Sequence, residues 1–228
     1  MGNREQILGR IREALSSGKR RMPPSPTTGF DRVLPAVPES FAERLELFKQ
    51  QSEALRTKLI VAEDLDIARR EFGQLAKTDG WTRIALQPTP SIQFFLQDLD
   101  VDLERLELSE QTTTAELEPV AAGITACDCL VAQTGGILIS ALSAGGRALS
   151  VLPPHHVVIA KRSQLVADLP AALALAAERY KPKWPSYIGF ITGPSRTGDI
   201  ERILVLGAHG PRKLTVLLLP DDYDRSSS

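Results

Sequence analysis

The segment with the clearest chemical content is a glycine-rich turn that follows an apolar run. The turn spans Gly193–Gly198 in the sequence YIGFITGPSRTGDIE. Glycines at a strand-to-helix turn let backbone N–H groups face a ligand, and the amino terminus of a following helix adds positive potential. Together with Ser195, Thr197 and Arg196, this predicts a pocket for a phosphate or a carboxylate. A plain tight turn, with a hydroxyl capping a helix and Arg196 paired to Asp199, fits the same residues.

Two further segments lie between apolar runs and carry polar groups. The segment AQTGG at 132–136 has a glycine pair that permits close approach of a ligand, although a hairpin turn explains it equally well. The segment GAHGPR at 207–212 offers His209 as an acid/base group and Arg212 as an anion clamp. Either residue also fits an ordinary loop.

The histidine pair and the cysteine pair do not predict a metal centre. His155 and His156 are adjacent, and neighbouring strand residues face opposite ways, so they cannot share one site. Cys127 and Cys129 are the two cysteines of the chain. Strand spacing holds their Cα atoms about 6.5 Å apart or more, which disfavours a disulfide. Two thiols are too few for a cubane iron–sulfur cluster, and their spacing fits no familiar zinc pattern. We therefore interpret them as buried, reduced thiols and expect neither metal nor cofactor in this chain.

The elements that position these residues begin with a strand–helix alternation. The chain has 228 residues, which favours one large α/β domain with appendages. Ser40 is expected to cap a helix that extends to about residue 56. After it come strand KLIVAE, a helix over 65–77, strand RIALQ and a short helix opened by Ser91. This alternation predicts a parallel sheet covered on both faces.

The second half of the domain is richer in strands. The runs CDCLVA, ILISAL, ALSVL and HVVIAK are closely spaced, and a helix is expected at about 163–179 before YIGFIT, ILVLG and KLTVLLL. The segment 98–118 carries eight acids and one arginine, and we interpret it as a solvated connection. The pattern predicts one three-layer α/β domain with a partly antiparallel end.

The amino-terminal segment differs in charge and pattern. Residues 1–21 carry six basic and two acidic side chains, and apolar residues from Ile7 to Leu15 recur with helical spacing. The helix should dock on its own domain or on a second subunit, or else act as a membrane-surface or nucleic-acid arm. A proline-rich linker follows, so the predicted divisions are 1–38 for this arm and linker, 39–220 for the α/β domain and 221–228 for a polar tail.

Composition excludes several classes of protein. The net charge is −1, which excludes a basic field over the whole chain of the kind that binds nucleic acid non-specifically. No apolar run approaches the roughly 20 residues of a membrane span, and the first residues lack the apolar core of a signal peptide. We expect a cytoplasmic protein without a membrane span and without a nucleic-acid partner.

Three segments together resemble a known family. ACDCLVAQTGGILIS, ALSVLPPHHVVIAK and ITGPSRTGDIERILVLGAHGPRKLTVLLL resemble the lactate utilization protein C family, whose core is the LUD domain. The resemblance implies a Rossmann-like, mixed but mainly parallel sheet of the type shared by glucosamine-6-phosphate deaminase, ribose-5-phosphate isomerase and CoA transferases. It also implies a role in the oxidation of lactate to pyruvate, with two partner proteins that carry the iron–sulfur clusters.

One residue departs from the family pattern. Family members often have Glu-Thr-Gly where this chain has Gln133, Thr134 and Gly135. A glutamate can act as a base or as a nucleophile, whereas glutamine can only form hydrogen bonds. The departure argues against a mechanism like that of the CoA transferases.

The resulting hypothesis is an accessory subunit of an iron–sulfur lactate-oxidising system. Its pocket binds a small anion or helps to dock the cluster-bearing partners, with His209 as the proton-transfer group. The expected ligand-binding residues are Thr134, Gly135, Gly193, Ser195, Arg196, Thr197 and Arg212. The alternatives are a stand-alone enzyme acting on a phosphorylated sugar or nucleotide, and a metabolite-binding regulator without catalysis. Association into a homo-oligomer stays open.

Overall fold

The computed structural model describes residues 3–17, 36–198, 204–206 and 210–224. The chain divides into two units, Met1–Pro35 and Ala36–Ser228, and each is described by itself. In the first unit, helix α1 (Asn3–Ser17) leaves Ile7 and Ile11 55% and 49% exposed. The amphipathic helix expected there is present, and what it docks on stays a prediction.

Six strands form the central sheet of the second unit, and each pair of neighbours in it is parallel. The strands are short and rich in buried aliphatic residues, as expected where both faces are covered. In sheet order they are β1 (Lys58–Val61), β12 (Lys213–Leu219), β7 (His155–Lys161), β4 (Ala122–Thr125), β2 (Arg83–Leu86) and β3 (Glu104–Glu107).

Successive side chains of β7 enter two different cores. Val157 and Ile159 pack with Phe72 and Phe95 on one face, whereas Val158 and Ala160 belong to the core around Phe48 on the other. Both faces are therefore covered, which confirms the predicted three-layer arrangement. The helices are α2 (Phe41–Ala54), α3 (Leu65–Thr78), α4 (Pro90–Leu96), α5 (Thr114–Leu117), α6 (Ala148–Val151) and α7 (Leu169–Tyr180).

A second sheet accounts for the strand-rich half of the sequence. Strand β5 pairs antiparallel with β6, β6 pairs antiparallel with β9, and β5 pairs parallel with β8. Helix α7 covers one face of this sheet through Ala172 and Ala176, and Ile137 packs from the other face into the core around Phe48. The bounds are β8 (Leu165–Val166), β5 (Cys129–Val131), β6 (Gly136–Ser140) and β9 (Ile188–Ile191).

The helix boundaries follow the capping residues. The Ser40 side chain accepts from the Glu43 amide, as predicted. The short helix predicted to open at Ser91 is instead capped by Thr89, which accepts from the Ile92 amide. Similarly, Asp168 caps α7, so that helix begins several residues later than predicted. In both cases a better-placed oxygen sets the start of the helix.

Three segments differ from the sequence predictions in type. The run ALSVL was predicted as a strand but forms α6, because a short apolar run does not distinguish a buried helix from a strand. The acidic segment 98–118 is not a plain connection, since it contains β3 and α5. Strand β4 was missed, although all four of its residues are buried. Among the described helices, none is long and apolar enough to cross a membrane.

Gly123 of β4 provides a test of this packing. A Cβ atom there would lie 2.3 Å from the Leu149 carbonyl oxygen in α6 and 3.0 Å from Pro153 Cγ. We expect Gly123→Ala to lower the free energy of unfolding by about 1–3 kcal/mol through overpacking, as measured by urea denaturation. Gly9→Ala is the control, because its Cβ meets nothing within 4 Å. Equal stability of Gly123→Ala and the natural chain would contradict this packing.

Candidate functional site

The two glycine-containing segments of the predicted pocket meet across the pairing of β6 with β9. Ile137 pairs with Ile191, and a Cβ at Gly136 would lie 3.5 Å from Thr192 Cγ2. Gly135 has a φ of 65°, and its Cβ would lie 3.0 Å from Gln51 of α2. The glycine at 135 thus permits close approach of a helix, in a hairpin turn between β5 and β6. Its ligand-binding role, like that of Thr134, stays a prediction.

The Gly193 turn is tied to the segment that contains Arg212. The Ser195 amide donates to the Pro211 carbonyl oxygen at 2.8 Å. After this turn the backbone continues as strand β10 (Arg196–Gly198), paired antiparallel with β11 (Leu204–Leu206). The helix expected after the turn therefore does not begin within these residues, because they take part in a strand pair.

Several predicted site groups cannot be placed. His209 and Asp199 lie outside the described residues, and so do the side chains of Arg196 and Thr197. Ser195 and Gly193 are described, and Gly193 has a φ of 96° that favours glycine. The structure thus brings Gly193, Ser195 and Arg212 to one region and leaves the role of His209 as a prediction.

Arg212 and Pro194 line a cleft of about 320 Å³ at the amino-terminal edge of the central sheet. Lys58, His155 and Lys213, which also line it, are the first residues of β1, β7 and β12. Because these strands are parallel neighbours, their first residues lie at the same edge. Arg56 joins them from the turn after α2. We call this the amino-edge cleft.

A chain of hydrogen bonds fixes the floor of the amino-edge cleft. Asp79, at the end of α3, accepts from Lys213 Nζ at 2.7 Å and lies 3.2 Å from His155 Nδ1. His155 Nε2 lies 2.8 Å from Thr215 Oγ1. A neutral histidine that donates from Nδ1 to Asp79 and accepts at Nε2 from Thr215 satisfies both of its partners.

Two groups in this hydrogen-bonded network, His155 and Asp79, have shifted pKa values. Burial lowers the pKa of His155 to about 4, although Asp79 acts in the opposite direction. The imidazole is therefore neutral at pH 7. Burial raises the pKa of Asp79, but the effects of Lys213 and His155, which both lower it, together outweigh burial and leave the pKa below its ordinary value. Asp79 is thus an ionised carboxylate that is balanced by Lys213.

The remaining cations of the amino-edge cleft have no matching carboxylate. Arg56, Lys58 and Arg212 are exposed, and among the described residues none forms an ion pair with an acidic side chain. Of the described residues that line the cleft, Asp79 alone is acidic. An arginine binds a carboxylate or a phosphate through two parallel N–H bonds, so this arrangement suits a small anion.

A smaller cavity of about 190 Å³ adjoins the amino-edge cleft and shares Asp79, His155, Arg212 and Lys213 with it. Its further wall includes Trp81, whose ring packs edge-on against His155 with centroids 5.1 Å apart. An anion bound by the arginines therefore has an aromatic wall beside it.

Sequence reasoning missed four groups of the amino-edge cleft: Arg56, Lys58, Asp79 and Lys213. Lys58 and Lys213 each begin an apolar run, KLIV and KLTV. Once both runs are assigned to neighbouring parallel strands, their first residues must share an edge. Asp79 gave no comparable signal, because its partner Lys213 is distant in the sequence.

The cysteines and the second histidine lie away from the cleft. Both thiols are free and buried, and burial raises the pKa of Cys129 to about 12 and that of Cys127 well above its ordinary value. His156 lies 2.8 Å from Thr125 Oγ1, on the opposite face from His155. The predicted opposite orientation of the two histidines is thus confirmed, and the thiols are protonated at pH 7.

Comparison with known proteins agrees with this fold. A crystal structure of a DUF162 family protein from Deinococcus radiodurans superposes with a TM-score of 0.61 at 24% identity, covering 80% of this chain and 99% of that one. This likeness concerns the fold, and it confirms the predicted fold class.

Relatives in sequence carry one recurrent name. Lactate utilization protein C of Exiguobacterium sp. (strain AT1b) is 30% identical over 232 residues, which cover 96% of this chain and 96% of that protein. Lactate utilization protein C of Geobacillus sp. (strain WCH70) is 27% identical over 198 residues, covering 78% and 79%. The LUD domain matches residues 5–219. The chain therefore belongs to the LUD domain family.

Proposed function

We propose that this chain is an accessory subunit of a lactate-oxidising system and that its amino-edge cleft binds an anionic group. The names of its relatives support the part in lactate utilization. The observation that carries the anion site is the set of cations Arg56, Lys58 and Arg212 around one cleft, which form no ion pair within the described part of the chain. The anionic group belongs to a small carboxylate ligand or to the surface of a partner protein.

The cysteine chemistry supports a division of labour between subunits. Cubane iron–sulfur clusters need about four protein ligands, mostly thiolates, whereas this chain has two cysteines, both of them buried. In the proposed system the clusters lie on partner proteins, and electrons from lactate pass through those partners. This chain then supplies binding and orientation.

In this proposal the described groups of the amino-edge cleft bind the ligand by charge and hydrogen bonding and transfer no proton. Arg56 and Arg212 hold the carboxylate, and Lys213 is held in place by Asp79. His155 is neutral and bound on both ring nitrogens, so it orients Asp79 and Thr215 and carries no mobile proton at pH 7. A proton-transfer role for His209 remains part of the proposal.

Affinity purification tests the subunit assignment. The tagged chain is recovered from source cells grown on lactate, and the eluate is assayed for iron and for lactate-dependent dye reduction. We expect iron-containing partners and activity to co-elute. The Arg56→Ala/Arg212→Ala double variant is purified in parallel. If the partners dock on the amino-edge cleft, they should be absent from its eluate. Elution of the natural chain alone, iron-free and inactive, would contradict the assignment.

Sulfate binding tests the anion site directly. We expect the Arg56→Ala/Arg212→Ala variant to bind sulfate at least about tenfold more weakly than the natural chain, because two charge-assisted hydrogen-bonding groups are lost. Isothermal titration calorimetry measures the change. The Lys49→Ala/Arg70→Ala variant removes the same charge outside the cleft and should bind as the natural chain does. Equal affinity of the cleft variant would remove the site assignment.

The pH dependence of sulfate binding follows from the neutral His155. Its pKa of about 4 means that the imidazole gains no charge between pH 8 and pH 5.5. Arginine, lysine and sulfate also keep their charges over this range, so the dissociation constant should change by less than about twofold. A histidine with an ordinary pKa of about 6.5 would tighten binding as the pH falls. Titrations at pH 8 and pH 5.5 distinguish the two cases.

A further inference from the structure

A second polar cavity lies at the other edge of the central sheet. It has a volume of about 440 Å³ and is lined by Asp128, Leu142, Ser143, Arg179, Tyr180 and Lys183. Asp128 follows the carboxyl end of β4 by three residues. We call this the carboxyl-edge cavity.

The topology favours a ligand at this position. From β2 the chain first adds β3 on one side and then returns to place β4 on the other side of β2. The strand order therefore reverses between β2 and β4. In open α/β sheets, ligands bind outside the carboxyl ends of the strands at such a reversal.

Asp128 gives the cavity a buried hydrogen-bond acceptor. Its side chain is 1% exposed and accepts from Arg179 Nη1 at 2.9 Å, from Ser143 Oγ at 2.9 Å and from the Tyr180 hydroxyl. An ionised carboxylate offers about four lone-pair positions. Three of them are used by described donors, which leaves about one for a hydroxyl group of a ligand.

Two cations, Arg179 and Lys183, also line the cavity and supply hydrogen-bond donors and positive charge. The Arg179 side chain is 48% exposed, although its Nη1 atom binds Asp128. Lys183 is exposed, and in the described part of the chain it has no ion-pair or hydrogen-bond partner. Because Arg179 matches the charge of Asp128, Lys183 leaves the cavity with an excess positive charge.

A side-chain atom without a described partner lies beside the loop of residues 141–147, which borders the cavity. Gln87, the residue after β2, donates from Nε2 to the Leu142 carbonyl oxygen at 2.6 Å. Gln87 is 8% exposed, and its Oε1 atom has no partner among the described residues. The same loop contains Gly145 and Gly146, with φ values of 62° and 95°. The loop is thus held at the carboxyl ends of both β2 and β4, with an open acceptor beside it.

A purely structural network does not account for the whole arrangement. The Tyr180 hydroxyl lies 2.9 Å from Ser140 Oγ, so Asp128, Tyr180 and Ser140 already join α7 to the second sheet. Lys183 contributes nothing to that junction among the described contacts. Lys183 and the buried acceptor Asp128 line the same cavity, so a ligand that has both an anionic group and a hydroxyl group finds a partner for each.

We propose that the carboxyl-edge cavity binds a small 2-hydroxycarboxylate, with its carboxylate on Lys183 and Arg179 and its hydroxyl group donating to Asp128. The choice of a 2-hydroxycarboxylate rests on the proposed function, whereas the requirement for a carboxylate and a hydroxyl rests on the cavity. This site is distinct from the amino-edge cleft and lies at the opposite ends of the strands.

Calorimetric titration of the full chain with L-lactate and with propionate tests the proposal. We expect lactate to bind and propionate, which lacks the hydroxyl group, to bind at least about tenfold more weakly. Lys183→Ala should weaken lactate binding by roughly tenfold. Lys49→Ala, which also removes one exposed lysine, should leave it unchanged. Circular dichroism confirms that each variant is folded.

Three results would overturn the proposal. Equal affinity for propionate would remove the hydroxyl contact with Asp128. Loss of lactate binding in Arg56→Ala/Arg212→Ala but not in Lys183→Ala would place lactate in the amino-edge cleft and leave the proposed function standing. Absence of lactate binding by the natural chain would remove the site, while co-elution of iron-containing partners would still decide the subunit assignment separately.

Discussion

The in-register parallel pairing of β1, β12, β7, β4 and β2 is the constraint on which both sites depend. It places the first residues of the strands at one edge and the residues that follow them at the other. Lys58, Lys213 and His155 are brought together in this way although they come from distant parts of the chain. At the other edge, the same pairing sets Gln87 and Asp128 on neighbouring strand ends.

Each edge contains one carboxylate that is largely shielded from solvent, half-buried in Asp79 and fully buried in Asp128, and each is matched by a cation that reaches solvent. Asp79 is matched by Lys213 and Asp128 by Arg179. Such pairing is required because an unpaired buried charge is costly. The two acids therefore do not cancel the remaining exposed cations, which are free to bind anions. The neutral state of His155 has the same origin, since burial disfavours its protonated form.

Local patterns predicted the elements better than they predicted the sites. Alternating strands and helices predicted the parallel sheet. The closely spaced apolar runs predicted a partly antiparallel end, but not that its strands form a separate sheet. The run ALSVL was assigned wrongly because a run of five residues, four of them apolar, has no period that separates helix from strand. The sequence pointed to Arg212 and Ser195 as candidates because they lie in glycine-containing segments, and their ligand-binding roles stay predictions. Asp79 and Lys213 were not predicted, because they are distant in the sequence. They come into contact only when the strands pair in the register that the structure shows. Asp128 was not predicted as a site residue. It lies between Cys127 and Cys129, and the sequence analysis considered only the thiols of this segment.

The pairing of β1 with β12 also determines when, during synthesis of the chain, the cations of the amino-edge cleft come together. Lys58 pairs with Thr215, so the first strand of the sheet finds its neighbour only in the last one. A chain that leaves the ribosome amino terminus first can form β2, β3 and β4 early, since their pairings are comparatively local. The amino-edge cleft takes Lys58 from the beginning of the domain and Arg212 and Lys213 from its end. Unfinished chains therefore lack the assembled cleft, and only a completed chain presents it to a ligand or to a partner.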